Sequence, residues 1–234
     1  MSDDLPVSGA NLPPSPLDVG TVRNGRVTFP NWRGDADPPE PEPPAPLPPD
    51  ERVGFAIMGL GRLALGQILP AFAQCRLARP VALISGDVEK ARVVAAQYGI
   101  PPDAVYGYDE CDRLSRNDAV RAVYVVTPNG LHREHVRAVA ATGRHVLCEK
   151  PMANTSDEAR AMVADCAAAG VKLMIAYRCQ YEPYNRELAE HVQSGRFGRP
   201  RLVVATNTQV QGAADQWRHK PALAGGGALP DIGL

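Results

Sequence analysis

The chain has almost no net charge, no apolar run long enough to cross a bilayer and no paired cysteine motif, and each lack excludes a class of protein. Basic and acidic residues nearly balance, leaving a formal charge of −1 over 234 residues. That balance offers no electrostatic attraction to nucleic acid or to anionic lipid, so neither is an expected partner. Without a membrane-length hydrophobic stretch no membrane association is expected. The opening residues, MSDDLPVSGANLPP, have neither the basic n-region nor the apolar h-region of a secretory signal, which makes the cytoplasm the expected location. The five cysteines, Cys75, Cys111, Cys148, Cys166 and Cys179, are odd in number and none stands in a C-x-x-C pair. That argues against a disulfide framework and against a zinc site, and no metal is expected.

Proline is unevenly spread. Residues 1–50 hold 13 of the 23 prolines, eight of them within Pro38–Pro49, so this segment cannot sustain helix or ladder hydrogen bonds and favours polyproline II. It reads as a tail or stiff linker, with a docking arm on a partner domain or neighbouring subunit as the alternative. Proteolysis of the purified chain is expected to cut before Val53, because an extended segment has few protecting contacts. Sustained protection of Pro38–Pro49 in the monomer would contradict this; protection confined to an oligomer favours the arm.

From Val53 the texture changes to VGFAIMGLGRLALGQILPAF. The apolar run Val53, Phe55, Ile57, Met58 predicts a strand buried in a parallel sheet. Gly59, Gly61 and Ala64 then spell G-x-G-x-x-A, and Leu65, Ile68, Leu69 and Phe72 line one side of a helix. In a dinucleotide-binding turn the first glycine permits the tight bend, the second lets the backbone approach a pyrophosphate, and the third small residue lets helix and strand pack closely. The helix N-terminus would offer free N–H groups to the phosphates. An ordinary β-turn-helix has the same local pattern, and context decides between the two.

The context is a repeating alternation of strands and helices. A second strand is predicted at Val81–Ile84, followed by Ser85-Gly86-Asp87 and a helix through Ala91, Val94, Ala95 and Tyr98 that stops at Gly99. A site selective for NAD usually places an acidic residue at this strand end, on the ribose 2′-OH. Here the position is Ser85, which tolerates a 2′-phosphate, while Lys90 and Arg62 can supply countercharge. A shifted register would instead bring Asp87 to the ribose. Tyr108 and Asp109 precede a polar helix near Cys111–Ser115. The next strand, Ala122–Val126, ends in Thr127-Pro128-Asn129-Gly130, where Asn129 is expected to cap a helix starting near His132 and closing at Gly143. His132 and His135 lack a third ligand nearby in sequence, so a capping or cofactor-facing role is expected rather than a metal pair. His145–Cys148 delivers Glu149-Lys150-Pro151 to a strand's carboxyl end, where ligands sit in open parallel sheets. Thr155-x-x-Glu158 is a capping box opening a helix that runs to Gly170. Strand Lys172–Tyr177 and helix Glu187–Gln193 complete the doubly wound pattern. Arg201–Val210 then predicts the first strand of a separate sheet.

Together GLGRLALGQILPAF, the segment Ser85–Ala91, TPNGLH, HVLCEKPMA, YRCQYEPYN and QWRHKPALAGGGALPDIG, in this order over about residues 52–234, resemble the glucose-fructose oxidoreductase (Gfo/Idh/MocA) family. The set is specific where a lone glycine turn is not. The resemblance implies an α/β fold: an N-terminal Rossmann domain with a doubly wound parallel sheet over 51–176, then the start of an α+β, mainly antiparallel substrate domain over 177–234. It implies an oxidoreductase moving hydride between NADP and a sugar or polyol, and a homo-oligomer when full length. Residues carried over as cofactor-binding are Gly59, Leu60, Gly61, Arg62, Leu63, Ala64, Ser85, Lys90, Tyr108, Pro128, Asn129, His132, Glu149, Lys150, Arg178, Trp217 and Arg218. Lys150 and Asp231 are carried over as catalytic, the lysine polarising the sugar hydroxyl and the aspartate binding the sugar. The family's proton-transfer His or Tyr would fall at position 235, one beyond Leu234, so the 234-residue chain is expected to bind cofactor without turning over sugar. The analogy also leaves a periplasmic location open, and a non-catalytic NADP sensor or scaffold on the same fold remains the alternative function.

Overall fold

A computed structural model describes residues 21–23, 26–28, 45–208 and 217–227. The chain divides into two units, Met1–Pro41 and Glu42–Leu234. In the first, β1 (Thr21–Arg23) pairs antiparallel with β2 (Arg26–Thr28), Thr21 lying opposite Thr28. The intervening sequence is Asn24-Gly25, the residue pair that favours a tight hairpin. A proline count over residues 1–50 averages this pair away, which is why an extended tail was the expectation there. Residues 45–50, expected as the end of the tail, are held to the second unit: Leu47 N–H donates to the Arg76 carbonyl at 2.9 Å, and Arg52 Nε, at the start of the Rossmann domain, donates to the Leu47 carbonyl at 2.9 Å.

The second unit is built on a six-stranded parallel sheet. Its strands are β3 (Val53–Met58), β4 (Ala78–Ile84), β5 (Val105–Tyr106), β6 (Ala122–Val125), β7 (His145–Cys148) and β8 (Leu173–Ile175), in the spatial order β5-β4-β3-β6-β7-β8. The chain thus winds outward from β3 one way through β4 and β5, then the other way through β6, β7 and β8. Right-handed crossovers put the helices of the two halves on opposite faces. Burial on both faces explains why the central strands are continuous apolar runs: Ala56, Ile57, Met58, Ala82, Leu83 and Ile84 are all fully buried. Val123, Val125, Leu114, Val136 and Met162 extend the same core.

β4 begins three residues earlier than expected and passes through Pro80, which cannot donate to a ladder; the register shifts at Phe55/Ala56, opposite this point. The helix after the glycine turn starts as a π-turn over Ala64–Ile68 before α1 (Leu69–Phe72). Pro70 accounts for it: without an N–H it cannot bond the Gly66 carbonyl, and Leu69 N–H reaches back to Ala64 instead. Next, α2 (Val88–Tyr98) ends at Gly99 in the left-handed conformation, φ 65°. The polar helix is a 3₁₀ segment, Tyr108–Arg116.

α3 (His132–Ala140) and α4 (Ser156–Ala168) pack together, joined by Arg133 Nη1 to Asp165 Oδ2 at 2.6 Å. The capping box forms: Thr155 Oγ1 accepts from Glu158 N–H at 3.2 Å, and Glu158 Oε2 accepts from Thr155 N–H at 3.1 Å. α5 (Pro183–Gln193) starts a turn before the expected Glu187, because Glu182 caps it and Pro183 suits its first position. The strand expected over Arg201–Val210 is not formed in its described part, 201–208, which is irregular and exposed. β-branched composition marks a chain fit for pairing, but a strand needs a neighbour, and no described strand lies beside it.

Candidate nucleotide-binding site

The carboxyl ends of β3, β4, β6 and β7 lie side by side, linked by loop hydrogen bonds: Gly59 N–H to the Ile84 carbonyl (2.9 Å), Val126 N–H to Met58 (2.8 Å) and Glu149 N–H to Val125 (2.9 Å). The direction of winding reverses between β3 and β6, and that edge is where open α/β sheets hold ligands. Gly59 sits there at φ 99°, and a Cβ on it would lie 2.8 Å from the Val126 carbonyl oxygen and 2.9 Å from Thr127 Cγ2. Only glycine fits. A Cβ on Gly61 would meet nothing within 4 Å, so the backbone faces open space at the position expected to approach a pyrophosphate. Leu60 and Ala64 are buried anchors, while Arg62 and Leu63 are exposed beside the opening.

At the end of β4, Ser85 is buried and its Oγ accepts from Asp87 N–H at 3.1 Å. Asp87 caps α2, its Oδ1 accepting from Lys90 N–H at 2.9 Å. Lys90 and Asp87 are both exposed. Tyr108 lies under this loop: its ring carbon is 3.2 Å from where a Gly86 Cβ would stand, and its other side meets the His135 ring at 4.8 Å between centroids.

At the end of β6 the histidine pair is internal. His132 is fully buried, with Nε2 2.8 Å from the Thr127 carbonyl oxygen and Nδ1 2.9 Å from that of Pro151. Both ring nitrogens thus face backbone carbonyls, and the neutral ring donates to one of them. Asn129 does not cap α3 as expected; the N-terminal residue there makes no side-chain cap, and Asn129 Nδ2 donates to the Ala224 carbonyl at 3.1 Å. The reason is α6 (Pro221–Ala224), which returns onto this edge and claims the amide. Asn154 Nδ2 holds the Ala222 carbonyl at 3.2 Å, and a Cβ on Gly130 would come within 2.3 Å of that same oxygen. Trp217 and Arg218 lead into α6 from a 3₁₀ turn, the guanidinium 4.5 Å from the indole centroid. Asp231 lies outside the described residues. Among the described residues no group of three His, Cys, Asp or Glu side chains is placed to hold a metal, and no helix is long and apolar enough to cross a membrane.

Glu149 and the half-buried Lys150 follow β7, next to the end of β6. Glu149 Oε1 accepts from Tyr124 Oη at 2.5 Å, and Oε2 accepts from Lys150 N–H at 3.2 Å. In the sequence Tyr124 is an aromatic within AVYVV and has the look of core; its one signal is a hydroxyl in an otherwise apolar strand. Arg178 is exposed on the 3₁₀ turn after β8, close enough for its charge to act on the Tyr124 phenol.

His135 is held below its ordinary pKa of 6.5, chiefly by burial, with Glu134 pulling the other way. Burial likewise lowers His132, against the pull of the carbonyls around it. Because the folded values lie below the unfolded one, the unfolded chain takes up protons first as pH falls. These groups' contribution is complete above about pH 6.5 and is lost as pH falls through the folded values. The melting temperature should drop between pH 7.5 and 5.5, and His135→Gln should make that drop shallower. An unchanged slope in the variant would remove His135 from this role.

A parallel sheet with a glycine turn at its switch point, open space above the turn and a helix N-terminus behind it defines a Rossmann dinucleotide-binding domain. Residues 53–177 match the model of the oxidoreductase family with an NAD-binding Rossmann fold, and 185–234 match the Gfo/Idh/MocA C-terminal domain: the chain belongs to the Gfo/Idh/MocA oxidoreductase family. It is 38% identical over 189 residues to D-xylose 1-dehydrogenase [NADP(+)] of Haloarcula marismortui, covering 79% of this chain and 52% of that protein. Among solved structures it is similar to the aldose-aldose oxidoreductase of Caulobacter crescentus complexed with glycerol (46% identity, TM-score 0.74, 77% of this chain and 54% of that one). It is also similar to a 3-ketoreductase of Actinomadura kijaniata in complex with NADP and TDP-benzene (26% identity, TM-score 0.63, 78% and 54%). The chain spans about half the length of the relatives it matches.

Proposed function

We propose that this chain carries the cofactor-binding part of an NADP-dependent oxidoreductase that moves hydride between a sugar or polyol and the nicotinamide. The observation that supports NADP over NAD is the end of β4. A buried serine stands where NAD sites place a carboxylate, and the nearby Asp87 carboxylate is engaged in capping its own helix. Arg62, after the glycine turn, and Lys90, in the first turn of α2, are both exposed, and we take them as the charge-assisted donors to a 2′-phosphate.

The residues fit a dinucleotide. Gly59 makes the bend, Gly61 leaves the approach open, and the backbone N–H groups after it receive the pyrophosphate. Pro128, Asn129 and Glu149 border the nicotinamide half. The bound nicotinamide supplies the hydride acceptor. Lys150 polarises the sugar hydroxyl whose proton must leave as the carbon is oxidised, and Asp231 orients the sugar. Trp217 and Arg218 close over the cofactor from the segment that docks through α6.

Titration of the chain with NADPH and NADH, followed by tryptophan fluorescence, tests the reading. NADPH should bind more tightly, and Lys90→Ala should weaken NADPH selectively by about 1–3 kcal/mol. Equal or tighter binding of NADH would contradict it.

A further inference from the structure

The Tyr124–Glu149 contact joins two strands at the point where Lys150 emerges. Tyr124 lies on β6, and its hydroxyl crosses to the carboxylate at the end of β7, 25 positions on, at 2.5 Å. That distance is in the range of an O–H donating to an ionised carboxylate, a bond about twice as strong as one between neutral groups. The second carboxylate oxygen takes the backbone N–H of Lys150 at 3.2 Å. Each oxygen of Glu149 is therefore held, one by a neighbouring strand and one by the turn it begins.

The phenol is suited to this. Burial first, then the Glu149 hydrogen bond and charge, push the Tyr124 pKa upward, with Arg178 opposing. The group stays protonated at physiological pH and can only donate toward the carboxylate. Tyr124 is half-buried on β6, which is in register with β7 at Tyr124↔Leu147. The donor thus stands within a strand held by neighbours on both sides, while the group it holds stands just past the end of β7.

We infer that Tyr124 is a positioning residue for the nicotinamide half of the cofactor site: it fixes the Glu149 carboxylate, and through it the Glu149-Lys150 turn. The inference rests on the dinucleotide reading above. It separates the two ends of the cofactor. Ser85, Lys90 and Arg62 hold the adenine end at β3 and β4, whereas Tyr124 acts only through the end of β7.

The experiment compares NADPH with adenosine bisphosphate carrying the 2′-phosphate, which has the adenine end alone, on the chain and on Tyr124→Phe. The variant keeps the ring and loses the donor. NADPH affinity should fall about tenfold, the scale of a hydrogen bond to a charged group, while affinity for the adenine fragment stays the same. Glu149→Gln should show the same split, and Tyr124→Phe added to it should cost little more, since no carboxylate remains to be oriented. Loss of both ligands alike would show a general packing role and overturn the inference, as would full additivity or unchanged NADPH binding. A parent chain that binds neither ligand would overturn the dinucleotide reading and this inference with it.

Discussion

Gly59→Ala should destabilise the domain by about 2–6 kcal/mol, the sum of a strained left-handed backbone and a steric clash. At φ 99° the added Cβ meets the Val126 carbonyl oxygen at 2.8 Å, and that oxygen belongs to a backbone fixed by the sheet. Nothing there is the far end of a flexible side chain. A domain of this size is stable by only about 5–15 kcal/mol, so a large part of its stability is at stake, and the melting temperature should fall by roughly 10 °C. Gly61→Ala is the control within the same turn. Its Cβ enters open space, so stability should change by less than about 1 kcal/mol. NADPH binding should nevertheless weaken, because the methyl occupies the proposed path of the pyrophosphate. Similar melting temperatures for the two variants would mean that the glycines do not have separate tasks.

Lys150→Ala should separate rate from binding in the whole protein. Lys150 is half-buried after β7, beside a carboxylate whose two oxygens are both held. If its ammonium polarises the sugar hydroxyl, its removal should lower kcat by about 10²–10⁴ while NADPH affinity changes only severalfold. A parallel loss of both would make Lys150 a cofactor contact alone.

Much of this architecture is legible where local signals agree. HVLC forms the strand His145–Cys148 with the expected ends, the Thr155–Glu158 box caps its helix, and Gly99 stops α2. These depend on neighbours a few residues apart. The departures involve partners far along the chain. Asn129 has the chemistry of a helix cap, but Ala224, 95 positions away, takes its amide. The neighbours of the His132 ring, the Thr127 and Pro151 carbonyls, also could not be read from its place in the sequence. RLVVATNT has the composition of a strand, and pairing is a property of a second segment, not of this one. Tyr124 is the instructive case at the site. Its hydroxyl can be seen in the sequence, but its hydrogen-bond partner, the Glu149 carboxylate just past β7, is 25 positions away.

Amide hydrogen exchange with and without NADPH tests the location of the site most directly. The account predicts protection concentrated in the four carboxyl-end loops: residues 59–65, 85–90, 127–131 and 149–151. The amino ends of the same strands, around Arg79 and Asn117, should exchange as before. Protection at those amino ends, or none in the four loops at saturating NADPH, would contradict it.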